Sequence, residues 1–521
     1  MPFLLGCLPL CHFQACAARR SSVCSPAFWH LEHRLIHRTD LHWIDAGIFL
    51  LYMIALLGVG VYFMRKNASA EDYFVSGRGM GKWHIGLSVV ATDVGGGFSI
   101  GLGGLGFLIG MSGSWMLFTG LIGAWLAAVF LIPRVYDLGS TKKLLTFPQL
   151  FGHFYDGRVA LVAGIISVIG YLGFTSSQIL AGAKLASVAV EGLDLNTALL
   201  VMGTVTILYT VLGGMNAVIH TDTVQWIVLI GGLVFLGLPM AWNAVGGWVA
   251  IKASVGPEFL SFTNIGPAQL INWAVTIIPI WFVGMTLYQR IYASRSERDA
   301  KQAWFIAGLF EWPVMAMLGV VLGLLARVAA EQGMFLGTFP GGAESMDPEM
   351  GLPILLRTIL PVGMMGLMLS VYFSAILSTA DSCLMAASGN LLTDIVQRNG
   401  NKGSDRKQLR LSQVFTLVLG AIALALAAGM ENVLSLMLHS YAFMVSGLLV
   451  PLVAALFFGQ RHARAALAAM VVGGSTTLLL TTLDVALPLG LDANIFGISA
   501  SALCFIAVAR LLPQRIAANS V

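Results

Sequence analysis

Residues 91–106, ATDVGGGFSIGLGGLG, set one aspartate and seven glycines between two strongly apolar flanks, WHIGLSVV and FLIGMSGSWMLF. An ionisable group at mid-bilayer costs about 3 kcal/mol unless it is paired or hydrated, which makes Asp93 a functional candidate by default. Glycine costs about 1 kcal/mol in a helix interior relative to alanine. Close packing of small residues accounts for spaced glycines such as Gly97 and Gly101. It does not account for three in a row, Gly95, Gly96 and Gly97, or for the acid. The reading that covers both is a helix broken near Ala91–Gly97. A break frees backbone carbonyls, and these are hard oxygen donors suited to a small cation.

A second polar stretch, VYFSAILSTADS at 371–382, supplies a partner. Ala375, Ser378 and Thr379 are spaced i, i+3, i+4 and share one helix face. The carbonyl of Ala375 and the two hydroxyls, with the carbonyls of Ala91 and Val94, make five oxygen ligands for one cation. The bland alternative is that the hydroxyls back-bond to their own helix. Asp381 and Ser382 follow within a turn, and an unpaired carboxylate at that depth is expensive. A third stretch, YTVLGGMNAVIHTDTVQ at 209–225, offers Asp222, which either caps a helix or reaches Asp381 and Ser382. Glu311, in GLFEWPVM, is a further acid inside an apolar run, to be paired with a nearby base or kept protonated. Trp273, Trp281, Tyr288 and Phe98 are aromatics that line a pocket, where ring faces suit a cation, or else sit at the membrane interface.

The elements that must hold these residues are membrane-spanning helices. The 521 residues are 57% hydrophobic and 10% charged, against about 25% charged in soluble domains, and the mean hydropathy is +0.84. Long continuous apolar runs recur from Trp43 to Leu512, each sufficient to cross a hydrocarbon core of about 30 Å. Their lack of alternation speaks against a β-barrel. The pattern predicts an all-α polytopic protein with about thirteen spans, starting near Trp43, Trp83, Ser114, Arg158, Ala198, Thr223, Asn272, Ala303, Pro361, Leu409, Val433, Ala463 and Leu491. With that count the Lys/Arg clusters fall on one side: Arg65 to Lys82, Lys142 to Arg158, Arg290 to Lys301, Arg398 to Arg410, Arg461 and Arg464, and Arg515. Positive-inside logic puts the N-terminus outside and the C-terminus in the cytoplasm. Lys184 and Arg327 are expected to snorkel from the outer ends of their spans.

Four of the six cysteines lie in the first 24 residues and no CxxC occurs, which argues against a zinc or redox site. Residues 1–40 carry a short apolar stretch followed by Arg19 and Arg20. The order is wrong for a secretory signal, and the segment reads as an atypical leader, a non-native upstream extension. No basic patch interleaves with aromatics, so nucleic acid is not an expected partner.

Taken together, EDYFVSGRGMGKW (71–83), ATDV (91–94), YTVLGGMNAVIHTDTVQ (209–225) and SAILSTADS (374–382) resemble motifs of the sodium/solute symporter family, with YQRIYASRSERDAKQA (288–303) a looser match. The resemblance covers about residues 43–512. It implies a LeuT-like five-plus-five inverted repeat with broken helices. Spans two to six (67–246) and seven to eleven (247–460) would be the repeats, with a peripheral first helix at 41–66 and two peripheral helices and a short tail at 461–521. It implies a sodium site at Ala91, Val94, Ala375, Ser378 and Thr379, and a sodium-coupling carboxylate at Asp93. A second sodium or coupling group would use Asp222, Ser378, Asp381 and Ser382, with an acid at 381 where members with a second site can have serine. Arg78 matches an arginine near the inner gate. The seventh span, WAVTIIPIWFVGMTLYQR, should supply the opposing broken helix. Gly96, Phe98, Trp281 and Tyr288 are the substrate candidates, and VGGGF (94–98) is closer to the choline-type branch.

The expectation is therefore a transporter: a symporter in the plasma membrane that imports a small organic solute by alternating access, with Na+ as its transported coupling ion. The solute would be an amino acid, monocarboxylate, sugar or quaternary amine. The other partner would be the lipid bilayer, and the chain would be a monomer or weak oligomer. The rival is a proton-coupled or sodium-independent carrier of the same fold, with Asp93, Asp222 and Asp381 as a relay. An enzyme is disfavoured, because no HExxH, Cys/His metal cluster, P-loop or serine-nucleophile motif occurs.

Overall fold

The computed structural model describes residues 42–66, 78–93, 95–190, 192–337, 339–397, 404–483 and 485–512. The expected leader at 1–40 lies outside them. Among the described residues every named element is helical and the one β-bridge joins Met80 to Ser294. In chain order the helices are α1 (Trp43–Lys66), α2 (Lys82–Asp93), α3 (Gly96–Ile109), α4 (Trp115–Leu126), α5 (Ile132–Thr141), α6 (Pro148–Phe154), α7 (Gly157–Ala189), α8 (Leu195–Gly232), α9 (Leu238–Ala244) and α10 (Gly247–Ser254). They continue with α11 (Pro267–Val283), α12 (Met285–Ala293), α13 (Glu297–Leu309), α14 (Ala316–Glu331), α15 (Pro348–Ile359), α16 (Met364–Asn390), α17 (Asp405–Ala427), α18 (Val433–Phe458), α19 (Ala463–Thr482) and α20 (Ala493–Leu511).

Polar residues at the starts of these apolar runs satisfy the free N–H groups that every helix leaves. Asp156 accepts from Arg158 N and Val159 N at the start of α7, Asp194 from Thr197 N before α8, and Asn432 from Ser435 N before α18. The start of α16 is capped from another helix. Asp45 of α1 is buried, and one of its oxygens accepts from both Gly363 N and Gly366 N at 2.7 Å. The first helix is thus tied to the most buried one.

Eleven segments of the described residues are long and apolar enough to cross a membrane, and twelve when the bent pair α11/α12 counts as one span. The sequence-based count of thirteen is approximate. It is reached only when α2 and α3 are also taken as one broken span, because at 12 and 14 residues each half is too short alone. The expected division between spans five and six falls within a single helix, α8, which holds the apolar stretch 195–212 and the start of a second, 218–244, that runs on through α9.

Helix α16 occupies the centre, with only Met364 and Leu367 near its start exposed and every residue from Met368 to Asn390 buried. It packs against α7, α8, α1 and α17, while α14 and α15 cover α3 and α13 lies on α2. Helices α19 and α20 pack chiefly on each other and on α18. Three helices are interrupted at depth. The first gap separates Asp93 from Gly96. The second is at Gly284, where α11 and α12 bend by 42°. The third lies between α13 and α14, where Trp312 has extended backbone (φ −140°, ψ 124°) inside a π-helical turn. Irregular backbone at membrane depth is tolerated only where it is buried in protein or lines a cavity.

Candidate functional site

The gap after α2 lies against the middle of α16. Its glycines are explained by contact as well as by the break. A Cβ on Gly95 would run into the Thr379 side chain and Gln178, and one on Gly96 would meet Ala181 and Ile376. The start of α3 is held by Gln178 of α7, whose side-chain oxygen accepts from Gly96 N at 2.7 Å. The sequence offered a signal for this residue that went unread: Ser176, Ser177 and Gln178 form a polar step inside an otherwise apolar helix.

Across the gap, the Thr379 hydroxyl donates to the Ala91 carbonyl at 2.9 Å and lies 3.4 Å from the Ala375 carbonyl. Three of the five expected ligand oxygens are therefore within reach of one another. The Ser378 hydroxyl is buried and makes no hydrogen bond of good geometry, with the Asp222 carboxylate close by. A small cavity is lined by Ala91, Ala375 and Ser378 together with Gln225, Trp226 and Leu229 of α8. Val94, the fifth expected ligand, lies outside the described residues. The set consists of hard oxygens on two elements, one interrupted, and suits a small monovalent cation more than a soft metal. No group of three or more His, Cys, Asp or Glu that could hold a metal occurs among the described residues.

The residues expected to serve as a second sodium or coupling group, Asp93, Asp222, Asp381 and Ser382, divide between different hydrogen-bond partners, with Asp222 and Asp381 still near enough to interact electrostatically. Asp222 and Ser382 flank Arg290, whose place among clustered basic residues suggests a cytoplasmic loop. It is fully buried on α12. Its guanidinium donates to Ser88 Oγ at 3.1 Å, Ser382 Oγ at 2.9 Å, the Thr286 carbonyl at 3.1 Å and Thr92 Oγ1. Asp222 lies 3.6 Å away and accepts a 2.6 Å hydrogen bond from Ser88. Asp222 therefore does not cap a helix but balances a buried cation, within a continuous α8. Asp381 instead accepts from Thr210. Asp93 points elsewhere again, because neighbouring helical positions diverge by about 100°. Ser88 and Thr92, four apart, face Arg290, whereas Asp93 receives the Tyr441 hydroxyl at 3.3 Å and meets Glu311. Of the two expectations for Glu311, a nearby base or a retained proton, the first is not met: it faces a second acid.

The remaining candidates take varied positions. Arg78 donates to the carbonyls of Leu144 at 2.8 Å and Gly139 at 3.4 Å, tying the approach to α2 onto the loop after α5. Its neighbour Met80 is hydrogen-bonded to Ala293 and Arg295, at the end of α12. Trp281 is buried edge-on to Trp304. Tyr288 donates to the Phe282 carbonyl at 2.9 Å and packs on Phe147. Neither lines the cavity at Ser378. The side chain of Phe98 lies outside the described atoms. Lys184 does not snorkel: it is 2% exposed and paired with Asp347 at 2.7 Å and Glu349 at 2.6 Å. Glu349 also accepts from Val433 N and Leu434 N, joining α15, α7 and the start of α18. Arg327 pairs with Glu331 and Glu344 instead of reaching out alone.

Comparison with known proteins bears on the fold and the family. The chain is 28% identical over 477 residues to the osmoregulated proline transporter OpuE of Bacillus subtilis, covering 88% of this chain and 93% of that one. It is 26% identical to sodium/glucose cotransporter 1 of Ovis aries, covering 79% and 67%. In structure it superposes on a Na+-coupled sialic acid symporter, seen substrate-bound and outward-open, with a TM-score of 0.76 at 20% identity, covering 91% and 99%. With Mhp1, a nucleobase-cation-symport-1 family transporter, the TM-score is 0.56 at 13% identity. At such identities these two establish the shared fold. The relatives are transporters rather than enzymes, and Na+ is a coupling ion rather than a prosthetic group. The Sodium:solute symporter family pattern matches residues 73–473, and the chain belongs to that family.

Proposed function

We propose that the chain is a multi-pass plasma-membrane symporter that imports a small organic solute by alternating access, driven by Na+ bound at Ala91, Val94, Ala375, Ser378 and Thr379. The observation that carries the site is the Ser378 hydroxyl. It is buried, makes no hydrogen bond of good geometry, and faces a small cavity shared with Ala91 and Ala375 at a helix break. A buried hydroxyl left unpaired costs about 1–3 kcal/mol, and a cation ligated there would recover it.

With the N-terminus outside and the C-terminus in the cytoplasm, sodium arriving from outside pins the Asp93–Gly96 gap against α16. This steadies the start of α3, which Gln178 already holds. The two five-span repeats, 67–246 and 247–460, then rock to open the inner side. There Arg78 and the Met80–Ser294 bridge fasten the chain while closed. The membrane potential contributes about 2.3 kcal/mol per charge per 100 mV, enough for one sodium ion to concentrate a solute many-fold.

The solute class is open to one screen. Thermal unfolding of the purified protein is followed against amino acids, monocarboxylates, sugars and quaternary amines, with sodium or with potassium. A ligand that stabilises only in sodium identifies the cargo. A ligand that stabilises equally in both, with uptake driven by an inward proton gradient, would replace this reading with the proton-coupled one.

A further inference from the structure

A second buried feature shares no residue with the lining of the Ser378 cavity or with the Arg290 cluster. Glu311 enters from the interrupted turn between α13 and α14 and is fully buried. Its side chain comes within hydrogen-bonding range of Asp93, at the end of α2. Asp93 is 7% exposed. Three of the four carboxyl oxygens, Asp93 Oδ2 and both oxygens of Glu311, have no hydrogen-bond donor. The fourth is met by the Tyr441 hydroxyl at 3.3 Å. Helix α4 is shaped to this acid, because a Cβ on Gly120 would collide with Glu311 Oε2. Among the described residues neither acid has an ion-pair partner, and the nearest buried guanidinium, Arg290, is committed to Asp222, Ser88, Thr92 and Ser382.

Burying two carboxyls against each other with neither a cation nor enough donors is strongly unfavourable. Unpaired acids inside a membrane protein mark ion or substrate paths. The oxygens left without donors come from two separate chain segments and converge. Tyr441 adds a hydroxyl oxygen, and its ring is packed nearly perpendicular to Phe174, with centroids 4.9 Å apart. This is a carboxylate-rich niche of the kind that takes a positive charge.

We propose that Asp93, Glu311 and Tyr441 form a binding site for a monovalent cation, distinct from the five-oxygen site at Ser378. The cation is either a second alkali ion or the ammonium group of the transported solute. Both sources present one positive charge to the same oxygens. The ammonium arm rests on the symport reading above, whereas the alkali-ion arm needs only the fold.

The test compares wild type with Glu311→Gln, which removes one negative charge at nearly constant shape, using full-length protein. Equilibrium binding of radiolabelled sodium counts ions per chain, and uptake competition ranks cationic against neutral solutes. Loss of one sodium ion per chain in the variant supports the alkali-ion arm. An unchanged sodium count, with the half-saturating concentration of a cationic solute raised tenfold or more and that of neutral solutes unmoved, supports the ammonium arm. If neither sodium count nor charge preference changes, the two acids merely share a proton and the proposal is overturned. Should Glu311→Gln fail to fold, crystals of the wild type soaked in rubidium or thallium salts decide. An anomalous peak within coordination distance of Asp93 and Glu311 supports the site, and a peak at Ser378 without one here overturns the alkali-ion arm. A bound solute whose ammonium lies elsewhere overturns the other arm. Ser378→Ala abolishing sodium binding at its own site would leave this outcome untouched, so failure here and failure of the main sodium site can be told apart.

Discussion

Two of the three interrupted helices, those broken at Asp93–Gly96 and at Gly284, end in opposite ways. At Gly284 the freed groups are taken up by the protein itself. The Tyr171 hydroxyl receives Thr286 N at 3.1 Å, the Tyr288 hydroxyl donates to the Phe282 carbonyl, and Gly284 N still reaches the Ile280 carbonyl at 2.8 Å. At the gap between Asp93 and Gly96 the protein supplies less. Gln178 takes Gly96 N and Thr379 shares Ala91, but Ser378 makes no hydrogen bond of good geometry and sits beside a cavity. One break is filled by aromatic hydroxyls and acts as a rigid bend. The other leaves oxygens unsatisfied and is suited to a ligand. Arg290 couples them, because it grows from the bend and bonds to Ser88 and Thr92 just ahead of the gap.

The largest effect is expected from cutting that link. Arg290→Gln strands the Asp222 carboxylate in the interior, and losing one partner of a buried pair costs about 3–5 kcal/mol. A marked fall in thermal stability should result, partly restored by adding Asp222→Asn. If the single variant is as stable as wild type, the two breaks are not joined through this residue. Next comes the open break itself. Ser378→Ala with Thr379→Ala removes two oxygens, each equivalent to about 1.5 kcal/mol when bonded to a charge. The half-saturating sodium concentration for uptake in proteoliposomes should rise roughly a hundredfold. Unchanged sodium activation would move the ion elsewhere. Gly95→Ala presses a methyl into Thr379 and Gln178, and overpacking of this kind costs about 1–3 kcal/mol. It should weaken sodium activation more than it lowers melting temperature, since the clash falls on a proposed ligand. The smallest effect belongs to the filled break. Tyr171→Phe removes the hydroxyl's two hydrogen bonds to Thr286, about 1 kcal/mol each, and should lower stability modestly while leaving sodium dependence as it was. A change in sodium dependence there would erase the distinction between the two breaks.

Several parts of this arrangement were legible in the chain. The gap could be read from Asp93 beside three consecutive glycines, and the matching face of α16 from the spacing of Ala375, Ser378 and Thr379, because helical periodicity fixes which positions share a face. The charge partners were not legible. Arg290 sits only five residues from Arg295, and nothing in that spacing tells a buried guanidinium from a cytoplasmic one. Lys184 resembles any lysine near a helix end until Glu349, 165 positions later, is found against it. Asp93 and Asp222 looked like members of one group, yet the helical twist between Thr92 and Asp93 sends them to different partners.

The sequence by itself determined the membrane-spanning helical class, the place of the first break and the identity of the oxygen-bearing helix, because hydropathy, glycine runs and i, i+3, i+4 spacing act locally along the chain. It took the packing of the helices to reveal which acids Arg290 and Lys184 neutralise, and that Asp93 and Glu311 face each other with no Lys or Arg paired to either among the described residues. Electrostatic pairing depends on distances of a few ångströms between helices that are far apart in sequence, and no local pattern encodes those distances.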